Sequence, residues 1–479
     1  MTRAVSKNFA FIAVSNLLAP MFSLVLVLAI SRLQGVETLG KYSLLMSVFV
    51  FGMSAAGFGL PVVLTREAAQ TPRDAGRWFL NAVVLSTGLA LPLLAIALVA
   101  CALRASDSDM ALALGLTALT VLPSAVTQCA EAVLLAFEHA RDFVVINLGE
   151  TAVRAVIGTI LVLAGYGVVA IAVLLLALRL VAAGVFVLAL RRRGVRGGRV
   201  ERETLWRLVS YVPVTGCIPV VNALYARADV FLISTLGSWR DVGLYSAALR
   251  LVDLARTITP AFARAMYPVL ARLRAAAQED YAYAARQATR NGLLLSVPIV
   301  IGLYGCAVPV IRLLFGPDLV AAASILRILA WAVIPFAVAI VLAQVLFAAD
   351  RQAVDLGVNL VSMGVSAGAA FLLIPRYGAA GAAVSVLCAS SVYASLQYAG
   401  VVRWAAPVGF GPDLLRVALA VMTALVVLWA LSWTGPIVST GLALVAFGVA
   451  CAMLGLLPVD EIRQRLVGWR VARRERVAL

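Results

Sequence analysis

The ionisable residues of this chain that could do chemistry sit inside apolar segments, at helical spacing. Between residues 242 and 271, Ser246, Arg250, Asp253, Thr257, Pro260 and Arg264 recur at steps of four, three, four, three and four. At 100° per residue these fall on one stripe, with Arg256 on its shoulder and a Leu- and Ala-rich face opposite. A second stripe runs through Asn147, Glu150, Thr151, Arg154 and Gly158. Glu150 and Arg154 are four residues apart and are placed to neutralise each other. Charge at membrane depth is costly and faces a bundle interior or a water-filled cavity. The stripe between 242 and 271 is therefore expected to line a lumen, the competing arrangement being a structural Arg250–Asp253–Arg256 ion cluster. Arg179 and Glu131 stand alone in their segments, suited equally to a lumen or to pairing between helices. Arg227 and Asp229 lie about 200° apart on a helix and cannot both face one lumen.

The elements that carry these residues follow from composition. The chain of 479 residues is 63% hydrophobic and 13% charged. Soluble domains run about 45–50% apolar and about 25% charged, so a soluble globular class is excluded. Crossing the hydrocarbon core takes roughly 20 apolar residues as a helix. Fourteen apolar segments meet that need, at about 9–31, 42–65, 78–103, 109–135, 143–165, 166–190, 207–235, 242–271, 291–315, 320–349, 354–375, 378–402, 414–434 and 436–457. They are too long for barrel strands, and prolines within them, such as Pro92 and Pro298, are tolerated in membrane helices. The expectation is an all-α polytopic membrane protein with about 14 transmembrane helices. Arg3 and Lys7 precede a first apolar run longer than a signal-peptide core, which reads as an uncleaved span.

The net charge of +16 comes from 39 basic residues, 37 of them Arg, and 23 acidic ones. The basic residues sit mostly in short loops, which argues against nucleic acid as a partner. Counted over alternate loops, 27 lie on the side of both termini and 7 on the other, so both termini are expected in the cytoplasm. The densest cluster, Arg191-Arg192-Arg193 through Arg207, serves as an orientation signal and a contact for lipid headgroups. The six cysteines are scattered singly, and His139 is the one histidine, so no metal-ligand spacing exists. No paired-carboxylate, nucleophile–base or Gly-rich phosphate motif is present. Neither an enzyme nor a cofactor is expected.

The chain also repeats itself. Gly40, Tyr42 and Ser43 map onto Gly243, Tyr245 and Ser246 at an offset of 203, and Gly165-Tyr166-Gly167 echoes Arg376-Tyr377-Gly378 at 211. Both echoes fall outside same-numbered spans, which predicts two six-helix bundles in a parallel pseudo-twofold repeat about an axis normal to the membrane. The expected divisions are an N-terminal bundle at 1–190, a basic linker at 191–206, a C-terminal bundle at 207–403, two additional helices at 404–457 and a basic tail at 458–479.

Several stretches together resemble the polysaccharide-repeat-unit flippases of the multidrug/oligosaccharidyl-lipid/polysaccharide (MOP) exporter superfamily. They are Arg32–Ser43, Gly59-Leu-Pro-Val-Val-Leu-Thr-Arg66-Glu67, Arg227-Ala-Asp229-Val-Phe-Leu-Ile, Val242–Arg250, Phe315-Gly-Pro and Ile374–Ala383. The resemblance covers about residues 5 to 400. It implies two bundles around a central cavity that opens alternately to each side of the inner membrane. It also implies export of an oligosaccharide on a polyprenyl diphosphate, in a pathway shared with a glycan polymerase and glycosyltransferases.

Such a substrate suits guanidinium forks, which bind phosphate oxygens bidentately and keep their charge when partly desolvated. Arg154, Arg250, Arg256, Arg179 and Arg227 are the diphosphate candidates. Asp253, Glu150, Glu131 and Asp229 are candidates for proton or ion coupling. Asn147, Thr151, Asn222, Tyr225, Ser246 and Thr257 are candidates for lining the cavity. The alternatives are a multidrug or a peptidoglycan-precursor exporter of the same superfamily and, further off, a membrane-embedded glycan polymerase or glycosyltransferase.

Overall fold

The computed structural model describes residues 2–102, 108–195, 197–216, 220–221, 223–224, 227–276, 278–407, 409 and 411–456. Helices make up most of this range. In order come α1 (Thr2–Leu33), α2 (Gly35–Ala56), α3 (Leu60–Gln70), α4 (Ala75–Ala102), α5 (Ser108–Leu119), α6 (Val121–Ala136), α7 (Ala140–Leu163), α8 (Val168–Arg192) and α9 (Arg202–Thr215). There follow α10 (Ala228–Leu236), α11 (Trp239–Arg256), α12 (Ile258–Ala276), α13 (Gln278–Gly305) and α14 (Ala307–Phe315). The last are α15 (Ala322–Trp331), α16 (Val333–Ala348), α17 (Gln352–Trp404), α18 (Gly411–Ala430) and α19 (Pro436–Met453).

The described residues of the expected segments are mostly helical, but several segments are not single rods. The segment expected at 42–65 breaks at Gly57-Phe58-Gly59, where Gly59 takes φ +68° and Pro61 opens α3. A left-handed glycine followed by a residue without an N–H ends one helix and starts the next. The segment at 242–271 breaks at Thr257, three residues before Pro260, whose ring cannot accept the carbonyl of residue 256. The segments at 354–375 and 378–402 form one run turned at Gly378, with φ +53° and ψ −129°. Among the described residues nine helical stretches are long and apolar enough to cross a membrane. A tenth is reached if α13 and α14, bent by 68°, cross as one. The count of fourteen is not confirmed by that measure, in which Gln352–Trp404 counts once for two expected segments and the first is represented only by Leu18–Leu33.

The chain forms two compact units, residues 1–246 and 247–479. In the first, α3, α4, α6, α8 and α9 share a core through Leu60, Leu64, Trp78, Val133, Phe186 and Leu208. The basic stretch 191–207 folds onto this unit. Arg193 pairs with Asp142 at 2.8 Å, and Arg207 and Arg66 both reach the buried Glu67 at 3.1 and 2.8 Å. The Asn81 side chain donates to the Arg199 carbonyl at 3.0 Å and accepts from the Glu201 N–H at 2.9 Å. In the second unit, α13 packs against α18 and α19 through Leu293, Val297, Val417, Ala420 and Phe447.

The repeat has a physical trace within the first unit. A Cβ added at Gly40 would overlap the Trp239 carbonyl oxygen, and one added at Gly243 would overlap the Val36 carbonyl oxygen. Val36 and Trp239 are themselves separated by the offset of 203, so equivalent residues touch reciprocally, as they do next to a twofold axis. Tyr42 and Tyr245, the next equivalent pair, are both fully buried.

Candidate functional site

The stripe on α7 faces inward. Arg154 and Gly158 are buried and Asn147, Glu150 and Thr151 half-buried, whereas Val145, Val153, Val156 and Ile160 on the other side are exposed. This is how a helix at a lipid boundary divides its faces. The expected Glu150–Arg154 pair does not form. Glu150 Oε2 instead takes Arg179 Nη1 from α8 at 2.9 Å, with the side chains 8% and 2% exposed. Arg179 Nε also donates to Ser124 Oγ on α6 at 3.0 Å, leaving Nη2 buried without a partner. Of the two settings open to Arg179 and Glu131, both take interhelix contact, because Asn147 Nδ2 donates to Glu131 Oε1 at 2.9 Å.

Arg154 is left without a carboxylate among the described residues. Its guanidinium carbon lies 5.7 Å from the centroid of Phe49 on α2, and that of Arg179 lies 5.9 Å from the same ring. One aromatic ring thus contacts two cations, which holds both side chains in place without neutralising either. Three helices place two guanidinium groups beside Phe49, with Glu150 as their only ion-pairing carboxylate among the described residues. Thr151 donates its hydroxyl to the Asn147 carbonyl at 2.9 Å, spending its polar atom on its own helix.

The stripe expected on one helix from 246 to 264 is split by the break at Thr257. Ser246 is buried with its hydroxyl unpartnered, Arg250, Asp253 and Arg256 are half-buried, and Thr257 and Arg264 are exposed. The hydroxyl of Thr257 donates to the Leu254 carbonyl at 2.7 Å. Neither Arg250 nor Arg256 forms an ion pair with Asp253, so the alternative of a structural ion cluster is not what the second unit contains. Arg256 stacks instead on Phe336 of α16, at 4.9 Å from the ring centroid, and its Nε and Nη2 are buried without partners.

Other candidates separate from these groups. Asp229 opens α10 and accepts from its neighbour's N–H at 2.8 Å and from the hydroxyl of Tyr245. Arg227 precedes that helix with its Nε buried and unpartnered. Asn222 and Tyr225 lie outside the described residues.

Sequence reasoning missed a cavity of about 800 Å³ in the second unit. Its wall includes Leu293, Ile334, Val338, Leu387 and Leu414, with Arg290 among them. Arg290 Nε is buried and unpartnered, while Arg286 one turn earlier pairs with Asp413 at 2.7 Å. The signal was present as two arginines four apart just before the apolar half of α13. Their setting required the packing of α18.

The family profile described as "Polysaccharide biosynthesis protein" matches residues 27–324, and the chain belongs to that family. The profile of the lipid II flippase MurJ matches residues 229–448. No curated sequence matches the chain. Among solved structures, a lipid II flippase MurJ in an inward closed conformation superposes with a TM-score of 0.75 at 14% identity, covering 93% of this chain and 98% of that one. An inward-facing multidrug resistance MATE family transporter of the MOP superfamily superposes with a TM-score of 0.66 at 16% identity, covering 80% and 93%. The fold is the one shared by these MurJ and MATE structures, and the chain is a multi-pass membrane protein of the polysaccharide biosynthesis family.

Proposed function

We propose that this protein carries a polyprenyl-diphosphate-linked oligosaccharide outward across the inner membrane by alternating access. The observation that carries the reading is the excess of unpaired guanidinium groups over carboxylates inside the helices. Arg154 and Arg256 each stack on an aromatic ring and lack an ionic partner among the described residues. A diphosphate supplies the missing charge and matches the guanidinium fork, whereas a cationic drug would meet repulsion. Arg250 and Arg227 are further candidates for the diphosphate, and Arg179 is paired with Glu150. The polar side chains Asn147 and Ser246 lie beside these arginines in sequence and serve as sugar contacts.

Both termini and the 191–207 stretch lie in the cytoplasm, as the 27-to-7 basic imbalance requires. Export against the cost of moving a charged headgroup needs an energy source, and an ion gradient acting through Asp253 supplies it. The glycan reaches the protein from glycosyltransferases and leaves to a polymerase of the same pathway.

A second reading, export of a peptidoglycan precursor, is favoured by the MurJ profile over residues 229–448. Deleting the gene and identifying the lipid-linked glycan that accumulates on the cytoplasmic leaflet separates the two. A repeat unit of a surface polysaccharide is the expected species. Accumulation of the peptidoglycan precursor would support the second reading, and accumulation of neither would contradict both.

A further inference from the structure

Glu67 is a buried carboxylate at a position that the fold does not need to charge. The offset of 203 maps Trp78 and Ala82, in the core of the first unit, onto Tyr281 and Ala285, in the core of the second. The same offset maps Glu67 onto Leu270, which is fully buried in that second core. Burying a carboxylate has a desolvation cost that leucine avoids, and in the first unit two arginines offset it. Arg66 Nη2 donates to Glu67 Oε1 at 2.8 Å, and Arg207 Nη2, from α9, donates to Oε2 at 3.1 Å. Each guanidinium also lies against a ring, that of Arg66 at 5.0 Å from the Tyr211 centroid and that of Arg207 at 5.1 Å from the Trp78 centroid. The Glu67 side chain is 4% exposed, whereas those of Arg66 and Arg207 are 49% and 54% exposed. The carboxylate is turned into the core, and the two arginines it fixes reach the surface.

We propose that Arg66 and Arg207 form a clamp for a diphosphate at the cytoplasmic face, with Glu67 as its positioning residue. Guanidinium groups bound to the two oxygens of one carboxylate are held side by side. A diphosphate presents two phosphates joined through one oxygen, one for each fork, and each fork binds phosphate oxygens in pairs. Orthophosphate or a phosphodiester offers a single group and engages one fork. One carboxylate answers only one of the two positive charges, so the clamp keeps a net charge for an anion. Holding both side chains beforehand removes part of the ordering cost of binding. The clamp adjoins the basic stretch 191–207, on the side of the chain that carries 27 of its basic residues. There it receives the headgroup before transport, apart from Arg154 and Arg256. That the diphosphate belongs to the exported lipid rests on the function proposed above; the preference for a diphosphate does not.

The test is modification of the full-length protein in detergent with phenylglyoxal, read arginine by arginine through peptide mass spectrometry. Inorganic diphosphate, orthophosphate and chloride are compared at equal ionic strength, with the exposed Arg191 and Arg202 as references. Diphosphate is expected to slow modification of both Arg66 and Arg207 by at least about fivefold, and orthophosphate by less than about twofold. Glu67→Leu places the second unit's core residue in the first, releases both forks, and is expected to abolish the protection. If that variant does not fold, Arg66→Gln decides, because Arg207 is then expected to lose its protection with its neighbour. Protection of neither arginine, equal protection by orthophosphate, or undiminished protection in the variants would overturn the clamp. Protection by diphosphate, combined with vesicle translocation that ignores the phosphate linkage, would leave the clamp standing and remove the exported lipid as its ligand.

Discussion

The arginines of the two units are held in different ways. In the first unit Arg179 is 2% exposed and has a carboxylate and a hydroxyl on its nitrogens. In the second, Arg256 is held by the face of Phe336 alone, with two nitrogens unpartnered. A buried guanidinium with its charge answered by the protein is part of the scaffold. One fixed by an aromatic face, with its fork unfilled, is fixed for something that arrives from outside. Arg154 shares a ring with Arg179 and yet belongs to the second kind, because Glu150 answers only its neighbour. The difference between scaffold and site is therefore one of pairing, and burial alone does not reveal it.

The largest expected effect breaks the paired side of this contrast. Glu150→Ala strands Arg179 among apolar helices and should cost about 3–5 kcal/mol, the usual penalty for removing one partner of a buried ion pair. It is read as a fall in the unfolding midpoint and in the yield of folded protein. Asp253→Asn removes no ion pair and should leave the midpoint within about 0.5 kcal/mol of the parent. Equal losses in the two variants would erase the distinction.

Next in size is the contact between repeat-equivalent residues. Gly40→Val or Gly243→Val drives a side chain into a backbone carbonyl and should cost about 1–3 kcal/mol or more. Gly88→Ala, where an added Cβ meets nothing within 4 Å, should be neutral or stabilising by about 0.5–1 kcal/mol. Unfolding midpoints of the three variants check this.

A third prediction concerns function without stability. Arg256→Ala should abolish export while folded protein stays in the membrane, and Arg256→Lys should restore only part, since charge survives but the bidentate fork does not. Export is read as surface glycan per cell. The smallest effect is expected from Asp253→Asn, which should keep substrate binding but lose the response of transport to an imposed pH gradient in vesicles. A parental response would remove Asp253 from coupling.

The stripe of α7 was legible because a 3–4 spacing fixes which side chains share a face, with Arg154 and Gly158 buried and Val153 and Val156 exposed. The partner of Glu150 was not legible, since Arg179 lies 29 residues away and helix geometry alone favours the nearer Arg154. The stripe between 246 and 264 was read as continuous although Pro260 interrupts it, a case where one missing N–H outweighs periodicity. The offset of 203 was visible in three residues, and its reciprocal backbone contact needed coordinates.

The central claim is that unpaired guanidinium groups select a diphosphate. Its most direct test is translocation in vesicles reconstituted with the purified protein, comparing one glycan linked to polyprenyl through a diphosphate or through a monophosphate. The account predicts rapid movement of the diphosphate-linked glycan, slow movement of the other, and loss of the difference in the Arg154→Ala Arg256→Ala double variant. Equal rates for both linkages in the parent protein would contradict it.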